Sequence, residues 1–119
     1  MAVEERPWGR FETLVETEDY KIKKITVDPH QRLSLQKHLH RSESWTVVSG
    51  RGHVVNHALV QTSPKGLDVK VGKSITIPVQ NVHRMENRHD EPLVFIEVQT
   101  GESFDEDDII RFQDDYGRE

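Results

Sequence analysis

The chain is a succession of short segments, β-branched or alternating in polarity, each closed by a glycine or proline turn. They run from Phe11 to Val15, Tyr20 to Val27, Arg32 to His40, Ser44 to Ser49 and Gly52 to Val60. The series continues from Leu67 to Val71, Ser74 to Ile77, Val82 to Glu86 and Pro92 to Gln99. Turn signals stand between them at Asp28-Pro29, Ser49-Gly50-Arg51-Gly52, Ser63-Pro64-Lys65-Gly66 and Val71-Gly72-Lys73. Many short strands at such spacing predict an all-β sandwich or barrel. At 119 residues the chain suits one domain with one moderate core, spanning 1–119. An N-terminal arm and strand occupy 1–20, and an acidic tail occupies 102–119. Only the tail has the signs of a helix. Ser103 or Asp105 offers a cap, Glu106, Asp107 and Asp108 come early, and Ile109, Ile110 and Phe112 are apolar. A short helical or irregular end is expected there.

Composition narrows the function classes. The chain is 34% hydrophobic and 31% charged, and no apolar run approaches the roughly 20 residues that span a bilayer. The first residues, MAVEERPWGR, have neither a basic nor an apolar signal region, so no secretory leader and no membrane partner are expected. Cysteine is absent, which removes thiolate sites and disulfides and agrees with a cytoplasmic location. A net charge of −5 counts against nucleic acid, and an anionic substrate would need a local basic pocket.

The segment Arg32 to His40 separates two faces. Leu33, Leu35 and Leu39 fall on one; Arg32, Ser34, Gln36, His38 and His40 fall on the other. At a barrel mouth the polar face would offer a cation, a hydroxyl, an amide and imidazoles. The leucine face would need cover from an N-terminal strand or a second subunit, which points to a homodimer. With seven histidines in the chain, chance clustering accounts for His53, His57 and His89, and His30 beside Pro29 reads as turn chemistry.

A second segment completes the polar face. Gly72, Pro78, His83 and Asn87 follow the second cupin motif, G-x5-P-x-G-x2-H-x3-N, with Gln80 where glycine is usual. The first motif, G-x5-H-x-H-x4-E-x6-G, fits with His30 at the glycine, Gln36 and His38 at the pair, then Glu43 and Gly50. In this register Gln36, His38, Glu43 and His83 are the metal ligands. They suit Zn²⁺, with Ni, Co, Mn or Fe as other divalent candidates. Glycine at the position of Gln80 permits a positive φ in which a larger residue is strained.

Taken with Arg6-Pro7-Trp8-Gly9, Leu33-Ser34-Leu35-Gln36, Arg41-x-Glu43-x-Trp45, His83-Arg84-x-Glu86-Asn87, Ile96-Glu97-Val98-Gln99 and the tail from Glu106 to Arg118, these motifs resemble the type II mannose-6-phosphate isomerases. The likeness spans nearly the whole chain and implies one cupin β-barrel. In that family the cupin is commonly the C-terminal part of bifunctional enzymes that carry a mannose-1-phosphate guanylyltransferase. No glycine-rich nucleotide loop is present here, so an isomerase domain standing alone is expected. The separate type I isomerases use a similar Gln-x-His pair with a later Glu and His on zinc, which supports the register. Departures from the type II pattern are Leu39 and Ser44, where histidine is common, and Gln80-Asn81-Val82, where Gly-Thr-Lys is common.

The resemblance implies interconversion of mannose 6-phosphate and fructose 6-phosphate. That reaction needs a base poised near neutrality and stabilisation of an enediolate oxygen. His40 and Glu97 are the candidate acid/base residues. Arg32, Arg41 and Arg84, with Arg111 and Arg118 from the tail, are candidates for the phosphate. Arg6 to Gly9 is expected to anchor the N-terminus, with lining of the pocket as the alternative. Two other readings stay open: an isomerase or epimerase of another sugar phosphate, and a non-catalytic cupin that binds a sugar or a metal.

Overall fold

A computed structural model describes residues 2–57 and 66–118, and over these the chain forms strands and no helix. The strands are β1 (Val3–Arg6), β2 (Gly9–Glu16), β3 (Tyr20–Val27), β4 (Leu35–Lys37), β5 (Arg41–Ser49) and β6 (Arg51–His57). Further along the chain come β7 (Gly66–Lys70), β8 (Ser74–Ile77), β9 (Val82–Glu86), β10 (Leu93–Gly101) and β11 (Ile110–Gln113). One sheet has the order β1-β2-β3-β10-β5-β8, the other β11-β4-β9-β6-β7. The pairs within them are antiparallel, so each sheet can bury one face and wet the other. Ile25, Val27, Trp45, Val47 and Phe95 from the first sheet meet Val54, Val69 and Met85 from the second in one core. The all-β expectation is met. The parts of it beyond His57 and before Gly66, including the turn at Ser63-Pro64-Lys65, lie outside the described residues.

Two expectations about local structure are corrected. The tail holds a strand where a helix was the alternative: β11 pairs with β4, Ile110 opposite Lys37 and Arg111 opposite Gln36. The caps read from the sequence do form, with Ser103 Oγ accepting from the Asp105 amide and Asp105 Oδ1 from the Asp107 amide. Such bonds close turns as readily as they start helices. Beyond these turns the β-branched pair Ile109 and Ile110 meets a strand edge that needs partners.

The second correction concerns Arg32 to His40, of which only Leu35–Lys37 is strand. Arg32 makes an isolated bridge to Glu86, and the chain bends at Leu39 and His40. There the backbone amides of Leu39 and His40 donate to the Asp108 carboxylate at 2.9 and 3.0 Å, instead of to a ladder. The alternation therefore holds for Ser34, Gln36 and His38 and fails at both ends. The three leucines do not share a face: Leu33 joins the core, whereas Leu39 is 40% exposed.

Backbone strain marks both departures from the cupin glycines. His30 has φ 61° and Gln80 φ 68°, and no other described non-glycine residue has a positive φ. Each costs about 1–2 kcal/mol relative to a right-handed conformation. Gly50, at φ 78°, could not be replaced in the same way. A Cβ there would lie 2.4 Å from the Pro92 carbonyl oxygen.

Candidate active site

The site grows out of the pleat. On β3, β5 and β10 the buried side chains alternate, and midway along each strand the buried series changes from apolar to polar. Phe95 lies opposite Ile25 and Val47; two residues on, Glu97 lies opposite Lys23 and Trp45, and Gln99 lies opposite Lys21 and Glu43. From the other sheet β4 and β9 bring Gln36 opposite His83. Between the sheets Lys23, Gln36, Glu43, Trp45, His83 and Glu97 line one cavity.

His38, Glu43 and His83 place one ligand atom each within 4.8 Å of one another. Both imidazoles are oriented by the main chain. His38 Nδ1 donates to the Asp108 carbonyl at 2.6 Å, and His83 Nδ1 donates to the Asn81 carbonyl at 2.9 Å. A carbonyl can only accept, so Nδ1 carries a proton and each ring turns its Nε2 inward. Those nitrogens lie 3.2 Å from Glu43 Oε2 and 3.7 Å from Glu43 Oε1 respectively. Two imidazole nitrogens and a carboxylate turned toward one point, each within reach of the others, are a donor set that fits a divalent cation. Gln36 is buried beside them, and its amide nitrogen donates to the Ser34 carbonyl, which turns its oxygen the other way.

Glu43 is ionised. Burial works against its charge, but His38, His83 and Arg41 override it and hold the carboxyl well below its usual range. Arg41 Nε donates to Oε2 at 2.9 Å and Trp45 Nε1 to Oε1 at 3.0 Å, so both oxygens are fixed. Burial pushes the His83 imidazole down to about 4, against the attraction of Glu43. Glu97 moves the opposite way: burial, then the charge of Glu43, raises it to about 7 against Lys23, Arg41 and a hydrogen bond from Gln99.

Not every expected residue reaches the cavity. His40 is half exposed, with Nδ1 3.7 Å from a Glu102 carboxylate oxygen, because the bend at Leu39 and His40 turns it away from the face it was assigned to. Arg32 and Arg84 fasten the tail instead. Arg32 is bidentate to Asp115 at 2.7 and 2.9 Å, and Arg84 donates to the Leu33 carbonyl and to Gln113. Arg41, Arg111 and Arg118 do line the cavity, and so does Arg6. Beside it, buried Trp8 joins the core and also lines the cavity, so this stretch combines the anchoring and the pocket-lining roles. His30 bonds Asp90 and His53 bonds Asp68, both away from the cavity; the side chain of His57 is outside the described residues.

Lys23 and Glu106 were missed. Lys23 Nζ donates to Glu106 and lies 4.0 Å from the centre of the Phe11 ring. The signal was available in β3, where alternation puts Lys21 and Lys23 on the face of Ile25 and Val27. A lysine on a core face is rarely left without a partner. In all, the cavity carries five basic side chains (Arg6, Lys23, Arg41, Arg111, Arg118) against three carboxylates (Glu43, Glu97, Glu106). A chain of net charge −5 has thus gathered a basic pocket.

The family described as "Mannose-6-phosphate isomerase C-terminal" matches residues 2–114. Among curated relatives, mannose-1-phosphate guanylyltransferase ManC of Salmonella typhimurium is 41% identical over 95% of this chain and 22% of its own. Alginate biosynthesis protein AlgA of Pseudomonas aeruginosa is 43% identical, again over 95% of this chain and 22% of its own. The chain thus spans less than a quarter of the length of these relatives. Among solved structures, capsular polysaccharide assembling protein CapF of Staphylococcus aureus superimposes with a TM-score of 0.84 at 22% identity, covering 95% of this chain and 34% of that one. Oxalate decarboxylase of Lactobacillus farciminis gives 0.78 at 19%, covering 93% and 33%. At these identities the likeness is one of fold, the cupin barrel.

Proposed function

The chain belongs to the mannose-6-phosphate isomerase C-terminal family, and from that premise we propose that it is a metal-dependent aldose–ketose isomerase interconverting mannose 6-phosphate and fructose 6-phosphate. The observation that carries the proposal is the pairing of a cation-ready donor set with a buried carboxyl held near neutrality in the same cavity. A divalent ion held by Gln36, His38, Glu43 and His83, zinc before other first-row metals, would supply Lewis-acid stabilisation of the sugar oxygens.

Glu97 is the acid/base residue in this reading. Its carboxylate takes the proton from C2 of the open-chain aldose and, as the acid, returns it to C1, while the proton of the C2 hydroxyl passes to the C1 oxygen. Burial, the largest cause of its raised pKa, keeps the protonated form within reach for the second step. His40 is left out, since it faces away from the cavity. Arg41 keeps Glu43 ionised and orients it, while the cavity's surplus basic charge suits a phosphorylated sugar.

Metal analysis alongside mannose 6-phosphate turnover, for the native protein and for His38→Ala, tests the proposal. The native protein is expected to retain a divalent metal through purification and to isomerise the substrate. The variant is expected to lose metal about 10–100-fold more readily, with turnover following. Equal metal content and equal turnover in both would remove His38 from the site, and a metal-replete native protein without turnover would end the isomerase reading.

A further inference from the structure

Among the cavity's basic side chains, the inner ones are committed. Arg41 is bonded to Glu43 and Lys23 to Glu106. Three guanidiniums at the outer end keep donors outside their existing contacts. Arg6 comes from β1, Arg111 from β11 and Arg118 from the segment after it, and all three line the same cavity. They sit nearer to solvent than the metal donors: the side chains of Arg6 and Arg118 are 34% and 25% exposed, against 4% for His38. We infer that Arg6, Arg111 and Arg118 form a single oxyanion subsite at the mouth of the cavity, built for a phosphate monoester.

The first reason is an unmatched charge. No carboxylate lies within ion-pairing distance of Arg111 among the described residues, and its Nε is buried with no hydrogen-bond partner. A buried guanidinium donor left unmade is costly, and the proximity of two like charges adds to the cost. Burial first, then the like charges of Arg118 and Arg6, lower the hold of Arg111 on its proton against the attraction of Asp114. An anion between the three would relieve both penalties.

The second reason is that the other two arginines are held in place with donors to spare. Asp114 takes Arg118 Nε and Nη2 at 2.8 and 2.9 Å, which fixes the plane of the guanidinium and leaves Nη1 outside that pair. Arg6 lies over the Phe11 ring with its Cζ 4.8 Å from the centroid. Its Nη1 and Nη2 contact the Glu5 carbonyl and Glu4 near the surface, leaving Nε outside those contacts. Forked donors held in this way match the several acceptor oxygens of a phosphate dianion. The subsite also gives direction to the substrate, phosphate outward and reacting carbons toward Glu97 and the metal donors. In that respect the inference rests on the isomerase reading; the affinity for phosphate does not.

Calorimetric titration of inorganic phosphate, mannose 6-phosphate and mannose into metal-free and metal-loaded protein tests it. Metal-free wild type is expected to bind inorganic phosphate and mannose 6-phosphate but not mannose, and to prefer the sugar phosphate only when metal is present. Arg6→Gln, Arg111→Gln and Arg118→Gln are each expected to weaken phosphate binding by about ten- to a hundredfold, the worth of a charge-assisted hydrogen bond. Arg51→Gln, an exposed change outside this cavity, should leave it unaltered. Arg6 lies on a rim strand, so Arg6→Gln decides the matter even if a tail variant fails to fold. Failure of wild type to bind phosphate, wild-type affinity in Arg6→Gln, or an equal loss in Arg51→Gln would overturn the subsite. Phosphate binding that responds to these arginines without any turnover would leave the subsite standing and remove the isomerase. Turnover with an unchanged KM in the arginine variants would do the reverse.

Discussion

The shared inner face of β3, β5 and β10 has two ends of opposite chemistry and equal burial. Phe95 and Gln99 are both 0% exposed, yet one packs on Trp45 with ring centroids 5.1 Å apart while the other donates to Glu97. At the apolar end burial is itself the stabilising term. At the polar end the same burial opposes folding, and it is tolerated because almost every charge has a partner: Arg41 with Glu43, Lys21 and Lys23 with Glu106. Replacing such charged pairs by apolar residues of similar size is often neutral or stabilising. The polar end is thus best understood through what it can bind, and the apolar end through what it holds together.

Substitutions at the two ends should therefore separate activity from stability. The largest expected effect is at the polar end. Glu97→Gln should cut isomerase turnover by about 10²–10⁴-fold, the usual worth of a general acid–base group, with no loss of stability by urea midpoint. Turnover within a few-fold of wild type would remove Glu97 from the mechanism. At the apolar end Phe95→Ala should cost about 3–5 kcal/mol by denaturant unfolding. If the variant still folds, its metal affinity should change little. A Phe95→Ala protein as stable as wild type would mean that this half is not the core.

A smaller effect links the two ends through pH. The folded Glu97 carboxyl is raised from 4.5 to about 7 by burial and by Glu43. At pH below 4.5 it is protonated in folded and unfolded chains alike. As pH rises from there through 7, the unfolded chain gives up a proton that the folded chain keeps, so stability is lost over that window and levels off above it. Metal-free wild type should lose stability relative to Glu97→Gln between these limits, and a flat difference in urea midpoints would contradict the assignment. The smallest change expected is at the turn after Pro78. Gln80→Gly should stabilise by up to about 1 kcal/mol, the relief of a left-handed backbone less the added freedom of glycine. Destabilisation would show that the Gln80 side chain makes a compensating contact.

The apolar end was the more legible of the two in sequence, and the reason is periodicity. A strand pattern needs only its own residues, so Tyr20 to Val27 and Val82 to Glu86 were read with their observed bounds. Gln36, His38, Glu43 and His83 were placed by motif spacing, and three of them converge as a metal-sized group with Gln36 beside them. The arginines were harder. A guanidinium reaches across strands, and nothing local distinguishes Arg84, which fastens the tail, from Arg111, which faces the cavity.

By itself the sequence determined the all-β class, the family, the spacing that gathers His38, Glu43 and His83 and the strained position at Gln80, because each depends on local alternation or fixed spacing. Tertiary structure alone decided that the tail is a strand on β4, that His40 turns outward and that Arg6 and Lys23 enter the site. Those outcomes depend on backbone hydrogen bonds and charges supplied by residues up to 85 positions away, such as Glu106 for Lys21. Local pattern carries no information about which distant partner will satisfy a buried donor.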